Sequence, residues 1–244
     1  RLVGRVITGA RETRPLVLRN LTGERFSDDI AGRSIVAMTR HGKLLFFELS
    51  GDRVVLINPM LTGGLRYTEP DEKLLKSVTV TFDIDDGHQL RYFDQKRMGM
   101  VYYLRPDQVN ETPRVEEQGP DVLDAPMSLD EFKTALRPFR GEIKGILTHG
   151  QLISGVGNAY ADEILHAAGL HPYKKKTALS DEEIARLQEA VYRVPLEAFK
   201  LLQEKVGENI HKKERRYLKV HGKGGKPCPV CGYEISAITA NQRV

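Results

Sequence analysis

The chain has 244 residues, of which 40% are hydrophobic and 29% charged, a composition typical of globular proteins and sufficient for one large or two modest domains. It has no apolar run of the ~20 residues that span a membrane and no signal-peptide core, so we expect a cytoplasmic protein. The net charge is +4, and the last 44 residues carry nine Lys or Arg against four Asp or Glu. This uneven charge favours a polyanionic partner, with a merely solvated basic surface as the alternative.

The first hundred residues predict a β-rich domain. Short segments rich in Val, Ile, Leu, Phe and Tyr are separated by turn signals such as Ser-Gly-Asp and Asp-Asp-Gly. Evenly spaced short strands favour a β-sandwich or a flattened barrel. The predicted strands are residues 2–8, 33–40, 43–49, 53–58, 76–83, 88–93 and 99–104.

A proline-containing stretch follows, with little periodicity, and predicts an extended linker. From Ser128 the pattern becomes helical. Ser128 and Glu131 form a capping box, and a helical pattern extends over Phe132–Leu147. Ser180 begins a second capping box, which predicts a long helix to about Lys205.

The segment from Gln151 to Pro172 combines a glycine turn with an amphipathic helix. Gly155-Val-Gly form the turn, and Asn158 is predicted as the N-cap of the helix that follows. An apolar stripe with helical spacing comprises Ala161, Ile164, Leu165 and Ala168. The unpaired N–H groups at the start of this helix are suited to bind an anion, which in a basic protein suggests a nucleic-acid phosphate.

The C-terminal segment is basic and contains a cysteine pair. Arg215, Arg216 and Lys219 predict a basic helix face. Cys228 and Cys231 form a C-x2-C pair, which is either half of a metal site or a redox pair, and two short strands are predicted around it. A structural zinc site needs four ligands, and the sequence supplies two thiols.

The segment GVGNAYADEILHAAGLHP resembles the helix-two-turns-helix segment of the formamidopyrimidine-DNA glycosylase and endonuclease VIII family. The family has the same order of parts, so the resemblance covers nearly the whole chain. It implies an α+β fold with an N-terminal β-sandwich domain (1–105) and a linker (106–127). A helical helix-two-turns-helix DNA-binding domain (128–206) follows, and then a basic segment with an incomplete zinc β-hairpin (207–244).

The resemblance implies a base-excision repair enzyme that removes oxidised bases from duplex DNA and cleaves abasic sites. Its partner would be double-stranded DNA with oxidised bases or abasic sites, with no membrane and no obligate protein partner, in the cytoplasm at the nucleoid. One alternative is a non-catalytic module that binds damaged DNA. Another is an RNA-binding zinc-hairpin protein, against which the β-rich first half argues.

The resemblance also assigns roles in holding DNA phosphates. Lys43 matches a family lysine at a strand start, which contacts the phosphate beside the flipped nucleotide and assists catalysis. Asn158 and the adjacent turn amides match a phosphate site. Lys144, in the preceding helical segment, is not part of that match but could add positive charge there. Arg243 matches the arginine at the tip of the zinc finger. From pattern alone Lys43 would be a surface lysine, Asn158 a helix cap, and Lys144 and Arg243 solvated basic residues.

Three further residues match side chains that fill the void left by a displaced base. Met60 and Met98 match inserted wedges, and Arg97 matches an arginine facing the orphaned base. From pattern alone Met60 would be a core methionine. Gln95, Lys96 and Met98 stand where formamidopyrimidine-specific members have proline, arginine and phenylalanine, so lesion preference is left open.

The family implies one structural zinc ion, bound in part by Cys228 and Cys231, and a nucleophile that is the amine of an N-terminal proline followed by glutamate. The sequence contains neither the proline and glutamate pair nor the other two zinc ligands, so we expect it to belong to a longer polypeptide. A Schiff base on Lys43 is the less favoured alternative.

Overall fold

The structure is a computed structural model that describes residues 1–14, 16–113, 115–207, 210–211 and 213–237. It divides into two compact units. Unit 1 comprises Arg1–Glu116 and Glu208–Lys213, and unit 2 comprises Glu117–Gly207 and Glu214–Val244. Among the described helices, none has both the length and the apolar character that crossing a membrane requires.

The described residues of unit 1 form a nine-stranded sheet. Its strands are β1 (Val6–Glu12), β2 (Leu18–Asn20), β3 (Arg33–His41), β4 (Leu44–Leu49), β5 (Arg53–Asn58), β6 (Gly63–Thr68), β7 (Val78–Ile84), β8 (Gln89–Asp94) and β9 (Met100–Leu104). The strand order is β2-β9-β5-β4-β3-β1-β7-β8-β6. The β2–β9 pair is parallel and the other pairs are antiparallel.

The two halves of this sheet share one hydrophobic core. Phe47 and Tyr103 come from the β2-β9-β5-β4-β3 half, and Phe82 and Tyr92 from the β1-β7-β8-β6 half. All four side chains are buried. A helix, α1 (Phe26–Ile30), adds the buried Phe26, whose ring packs edge-on against Phe82 and Tyr103. The prediction of a sheet-rich N-terminal domain is confirmed.

Several elements of unit 1 differ from the prediction. The first strand begins at Val6 rather than at residue 2, because Gly4 turns the chain with φ +86°. Strand β2 and helix α1 were not predicted because they have only three and five residues. Strand β6 was not predicted because it contains two glycines, an arginine and a threonine. A 3-10 helix (Pro106–Glu111) lies within the predicted linker.

Unit 2 contains four α-helices in its described residues. They are α2 (Leu129–Leu136), α3 (Ile143–His149), α4 (Asn158–Ala168) and α5 (Asp181–Val206). Both predicted capping boxes are confirmed, since the Ser128 and Ser180 hydroxyls accept from the N–H groups of Glu131 and Glu183. The single helical segment predicted over residues 132–147 is wrong. Pro138 and Gly141, with φ +94°, separate α2 from α3.

Candidate nucleic-acid interface

Two loops of unit 1 carry the side chains predicted to fill the void of a displaced base. The Met60 loop (residues 59–62) joins β5 to β6, and the Arg97 loop (residues 95–99) joins β8 to β9. Met60 is 40% exposed, Met98 is 44% exposed, and Arg97 is also exposed. The structure therefore presents all three predicted side chains to solvent on loop tips, where each could contact a ligand.

The backbone at both loop tips is strained. Three non-glycine residues of the described chain have positive φ, and two of them are Met60 (φ +47°) and Arg97 (φ +54°). The left-handed region costs an L-residue roughly 1–2 kcal/mol, so the surroundings must hold it in place. Strained residues cluster at functional sites, so this backbone geometry motivates the void-filling roles of Met60 and Arg97, which stay predictions.

A buried carboxylate holds these two loops together. Asp94 accepts hydrogen bonds from the Thr62 hydroxyl, from the N–H of Gly99 at 2.7 Å and from the N–H of Lys96 at 3.2 Å. Burial alone would raise the pKa of Asp94, but these hydrogen bonds outweigh it and lower the pKa. The carboxylate is therefore held ionised and organises both loops. No local sequence pattern predicts this role for Asp94.

Sequence reasoning also missed Leu61. This side chain lies beside Met60 at the loop tip and is 50% exposed, more than Met60 itself. An exposed apolar pair on a loop tip has the chemistry to insert between stacked nucleobases. The sequence feature that could have identified Leu61 is an apolar residue next to Met60 within a turn. Met60 and Leu61 together are called the apolar tip.

Lys43 lies in the turn between β3 and β4 and is exposed. Gly42 adopts φ +57° in this turn, and its carbonyl oxygen accepts a hydrogen bond of 2.7 Å from the Arg40 guanidinium. The hairpin therefore presents Lys43 on a well-defined turn just before Leu44, the first residue of β4. The structure agrees with the predicted location at a strand start.

The glycine turn before α4 has the predicted shape but a different cap. Gly155 has φ +95°, and Gly157, in an extended conformation, is the N-cap residue. Asn158 is the first residue of the helix and is exposed, so its predicted role as N-cap is wrong. Because Gly157 has no side chain, this helix end has no side-chain cap among the described residues, and its first N–H groups remain suited to an external acceptor.

Lys144 on α3 forms an ion pair with Asp162 on α4. The Lys144 Nζ atom lies 2.8 Å from Asp162, and His221 Nδ1 lies 2.8 Å from the other carboxylate oxygen. Next to Asp162, the buried carboxylate of Glu163 accepts backbone N–H groups of Lys219, Val220 and His221. A phosphate at Lys144 would therefore compete with Asp162. Sequence reasoning missed both acidic residues.

The cysteine turn (Lys226–Ile235) contains Cys228 and Cys231, both free thiols. It shows an isolated bridge between Pro227 and Glu234 in place of two predicted strands. Backbone N–H groups of Cys231 and Val230, together with His166, lower the pKa of the Cys228 thiol to about 6. In the described part of the chain, no cluster of three or more His, Cys, Asp or Glu side chains could hold a metal ion.

The predicted basic helix face is wrong. Arg215, Arg216 and Lys219 lie in irregular chain, a turn and a bend rather than on a helix. Glu214 pairs with Arg216 at 2.8 Å, which reduces the local positive charge. Arg243 lies outside the described residues, so its predicted phosphate contact stays a prediction.

A sheet-rich domain with exposed apolar loop tips, followed by helices joined by a glycine turn, defines a DNA-binding protein of the helix-two-turns-helix class. Residues 1–101 match the N-terminal domain of formamidopyrimidine-DNA glycosylase, and residues 118–210 match its H2TH domain. The chain belongs to the formamidopyrimidine-DNA glycosylase family.

Individual relatives agree with this assignment. The formamidopyrimidine-DNA glycosylase of Desulforamulus reducens is 34% identical over 97% of this chain and 88% of its own length. That of Moorella thermoacetica is 33% identical over 88% of this chain and 80% of its length. The solved complex of Lactococcus lactis Fpg with DNA containing an abasic site has a TM-score of 0.87 and 29% identity, covering 100% of this chain and 90% of that one.

Proposed function

We propose that this protein is a base-excision repair DNA glycosylase with abasic-site lyase activity, acting on duplex DNA that contains oxidised bases. The observation that carries the proposal is the similarity of both domains to Fpg, including Fpg bound to DNA with an abasic site or a Fapy-dG lesion. The exposed, strained tips of the Met60 and Arg97 loops support it. We infer that the protein acts in the cytoplasm, at the nucleoid, because its DNA substrate lies there.

In the reaction, an amine attacks C1′ of the damaged nucleotide, and the bond from C1′ to the base breaks. The base leaves with the electron pair and takes up a proton supplied by a carboxylic acid. The C1′–O4′ bond of the sugar ring then breaks as O4′ is protonated and the amine loses its proton, which leaves a Schiff base between the amine and C1′. The Schiff base acidifies C2′, so loss of a C2′ proton breaks the C3′–O bond and expels the 3′ phosphate. In this family the amine belongs to an N-terminal proline and the acid to the next glutamate, neither of which is among these 244 residues.

The residues of this chain would hold the DNA in the geometry that this reaction needs. The apolar tip and Met98 would occupy the space left by the extruded nucleotide, and Arg97 would donate hydrogen bonds to the orphaned base. Base extrusion costs a few kcal/mol of stacking and pairing, and inserted side chains recover part of that cost. Lys43, on its exposed turn, would neutralise a phosphate beside the flipped nucleotide and so assist catalysis.

The glycine turn would bind a second phosphate. Asn158 is exposed at the first position of α4, and the N–H groups there point out of the helix. A phosphate at this end is favoured by those donors and by the helix dipole together. Lys144 would contribute charge only if it exchanged its ion pair with Asp162 for one with the phosphate. We therefore assign phosphate binding chiefly to Lys43 and Asn158.

The cysteine turn suits a zinc ion. Thiolate is the form of cysteine that binds metal, and the lowered pKa of Cys228 keeps that form populated at neutral pH. The Cys228 N–H donates to the Tyr233 carbonyl at 2.7 Å and the Gly232 N–H to the Cys228 carbonyl at 2.9 Å, which gives the turn a fixed shape. Cys228 and Cys231 would supply two of four ligands, and the zinc would have a structural role.

Two measurements on the full-length protein test the proposal. Incision of an end-labelled duplex carrying an oxidised base is compared with that of the undamaged duplex, and borohydride is added to trap the Schiff base. We expect incision and covalent trapping on the damaged duplex alone. Selective binding without incision or trapping would contradict the enzyme and favour a damaged-DNA-binding module. A preference for structured RNA would contradict both.

A further inference from the structure

The Met60 loop and the Arg97 loop run side by side across the same edge of the sheet. On one side Asn58, at the end of β5, pairs with Met100 at the start of β9. On the other side Gly63, at the start of β6, pairs with Asp94 at the end of β8. Each loop therefore connects the β5–β9 pair to the β6–β8 pair, so the two loops begin and end on neighbouring strands.

One hydroxyl group links the two loops. Thr62, in the Met60 loop, donates its hydroxyl hydrogen to the Asp94 carboxylate and accepts from the N–H of Lys96 at 2.9 Å. Asp94 in turn accepts from the N–H of Gly99. The Thr62 side chain thus bonds to both ends of the turn that leads into Arg97. It lies two residues from Met60, so the Thr62 side chain, together with the Asp94 carboxylate, joins the two strained tips.

A buried tyrosine forms a common floor under both loops. A Cβ atom at either Gly63 or Gly99 would collide with the Tyr92 hydroxyl, and one at Gly99 would also lie 2.8 Å from the Asn58 carbonyl oxygen. The Tyr92 hydroxyl is buried and has no hydrogen-bond partner among the described residues. Close contact with this floor leaves little room for either loop to shift without the other.

We propose that Thr62 is a positioning residue that couples the two loops, so that the apolar tip and Arg97 with Met98 enter the duplex together as one wedge. The proposal rests on the void-filling role proposed above. Coupling of this kind makes insertion all-or-none. A duplex whose base resists extrusion then gains no partial stabilisation from one tip alone, which raises selectivity for damaged sites.

The test measures selectivity in the full-length protein. Selectivity is the ratio of dissociation constants for an undamaged duplex and for the same duplex with a tetrahydrofuran abasic-site analogue. Thr62→Val removes the hydroxyl at nearly constant size, and Thr62→Ser retains it. The tip change (Met60→Ala with Leu61→Ala) and Arg97→Ala are made singly and together, in wild type and in Thr62→Val.

We expect Thr62→Val to lower selectivity about tenfold, because the hydrogen bonds of the hydroxyl are lost. Thr62→Ser keeps the hydroxyl, so its selectivity should stay within about twofold of wild type. In wild type the tip change and Arg97→Ala should each lower selectivity, with the combination costing little more than either alone. In Thr62→Val their losses should multiply, as for independent groups.

If Thr62→Val leaves selectivity unaltered, the proposed coupling is wrong. It is also wrong if the losses caused by the tip change and by Arg97→Ala multiply in wild type. The wild-type series decides the matter even when Thr62→Val fails to fold. Failure of the underlying function has a different signature. If neither the tip change nor Arg97→Ala lowers selectivity in wild type, the void-filling role itself is wrong.

Discussion

The Nε2 atom of His166 on α4 lies 3.4 Å from the Sγ atom of Cys228 in the cysteine turn. When the thiol is ionised, the imidazole N–H is the donor and the sulfur the acceptor. The contact joins the proposed metal-binding turn to the helix whose first residue is Asn158. Hydrogen bonds to metal-bound ligands fix their orientation, and their loss typically weakens metal binding.

We therefore expect His166→Asn to lower zinc affinity about tenfold, the low end of the effect of removing such a contact. Cys228→Ser should abolish stoichiometric zinc binding. The measurement is zinc transfer to a chromophoric chelator, followed in the full-length protein at neutral pH. His149→Asn, at the exposed end of α3, is the matched control and should leave zinc affinity unaltered. Equal zinc affinity in His166→Asn and wild type would contradict a role for the contact.

Asn158→Ala should weaken binding to damaged and undamaged duplexes alike. Loss of one hydrogen bond to a phosphate corresponds to about 5- to 10-fold in affinity, independent of sequence and lesion. Because Gly157 is the N-cap and Asn158 makes no capping bond, the melting temperature should remain within a degree or two of wild type, or about 0.5 kcal/mol. Anisotropy titrations and thermal melts measure the two effects.

Gln151→Ala is the control for Asn158→Ala, since Gln151 is an exposed side chain shortly before the same glycine turn. It should alter neither affinity nor stability. A stability loss near 1 kcal/mol in Asn158→Ala with unchanged DNA affinity would reverse the assignment and restore the capping role.

Local sequence signals predicted much of the architecture. The capping boxes at Ser128 and Ser180 involve atoms three residues apart, so they can be found without knowing the fold. The same holds for the apolar spacing within α4 and for the Val- and Phe-rich strands β3, β4 and β5. Strand β6, with two glycines and an arginine, is stabilised by its pairing with β8, which no local pattern reveals.

The carboxylates that organise the candidate site could not be predicted for the same reason. Asp94 and Thr62 are 32 residues apart, and Glu163 accepts from N–H groups 56 to 58 residues away. In the sequence each is an ordinary polar residue of a loop or helix. Long-range hydrogen bonds of buried carboxylates depend on tertiary structure, which only the folded chain supplies.

Lys43→Gln should reduce affinity for every duplex and reduce its dependence on salt. Each phosphate contact by a lysine releases condensed counterions, so the slope of log affinity against log salt should fall by about 1. Titrations at several salt concentrations measure that slope. Lys73→Gln, an exposed lysine between β6 and β7, is the charge-matched control. A slope unchanged in Lys43→Gln, or lowered equally in Lys73→Gln, would remove Lys43 from the DNA contact.

A final prediction concerns a partly buried ionic network in unit 1. Asp29 on α1 accepts hydrogen bonds from Tyr103 at 2.6 Å, from Arg53 at 2.7 Å and from Arg33. Burial alone would raise the pKa of Asp29, but the hydrogen bonds from Tyr103, Arg53 and Arg33 outweigh it and lower the pKa to about 2. The usual value is 3.8, so the folded state favours the ionised form.

A lowered pKa stabilises the folded state at pH values above the pKa of the unfolded state. This contribution is lost as pH falls from about 4 toward 2. We expect it to be about 1 to 2 kcal/mol after allowance for solvent screening. Asp29→Asn should be less stable than wild type at pH 7, and its stability should fall less steeply below pH 4. Urea unfolding at several pH values tests this, with the exposed neighbour Asp28→Asn as control. Parallel pH profiles for wild type and Asp29→Asn would show that the network does not govern acid stability.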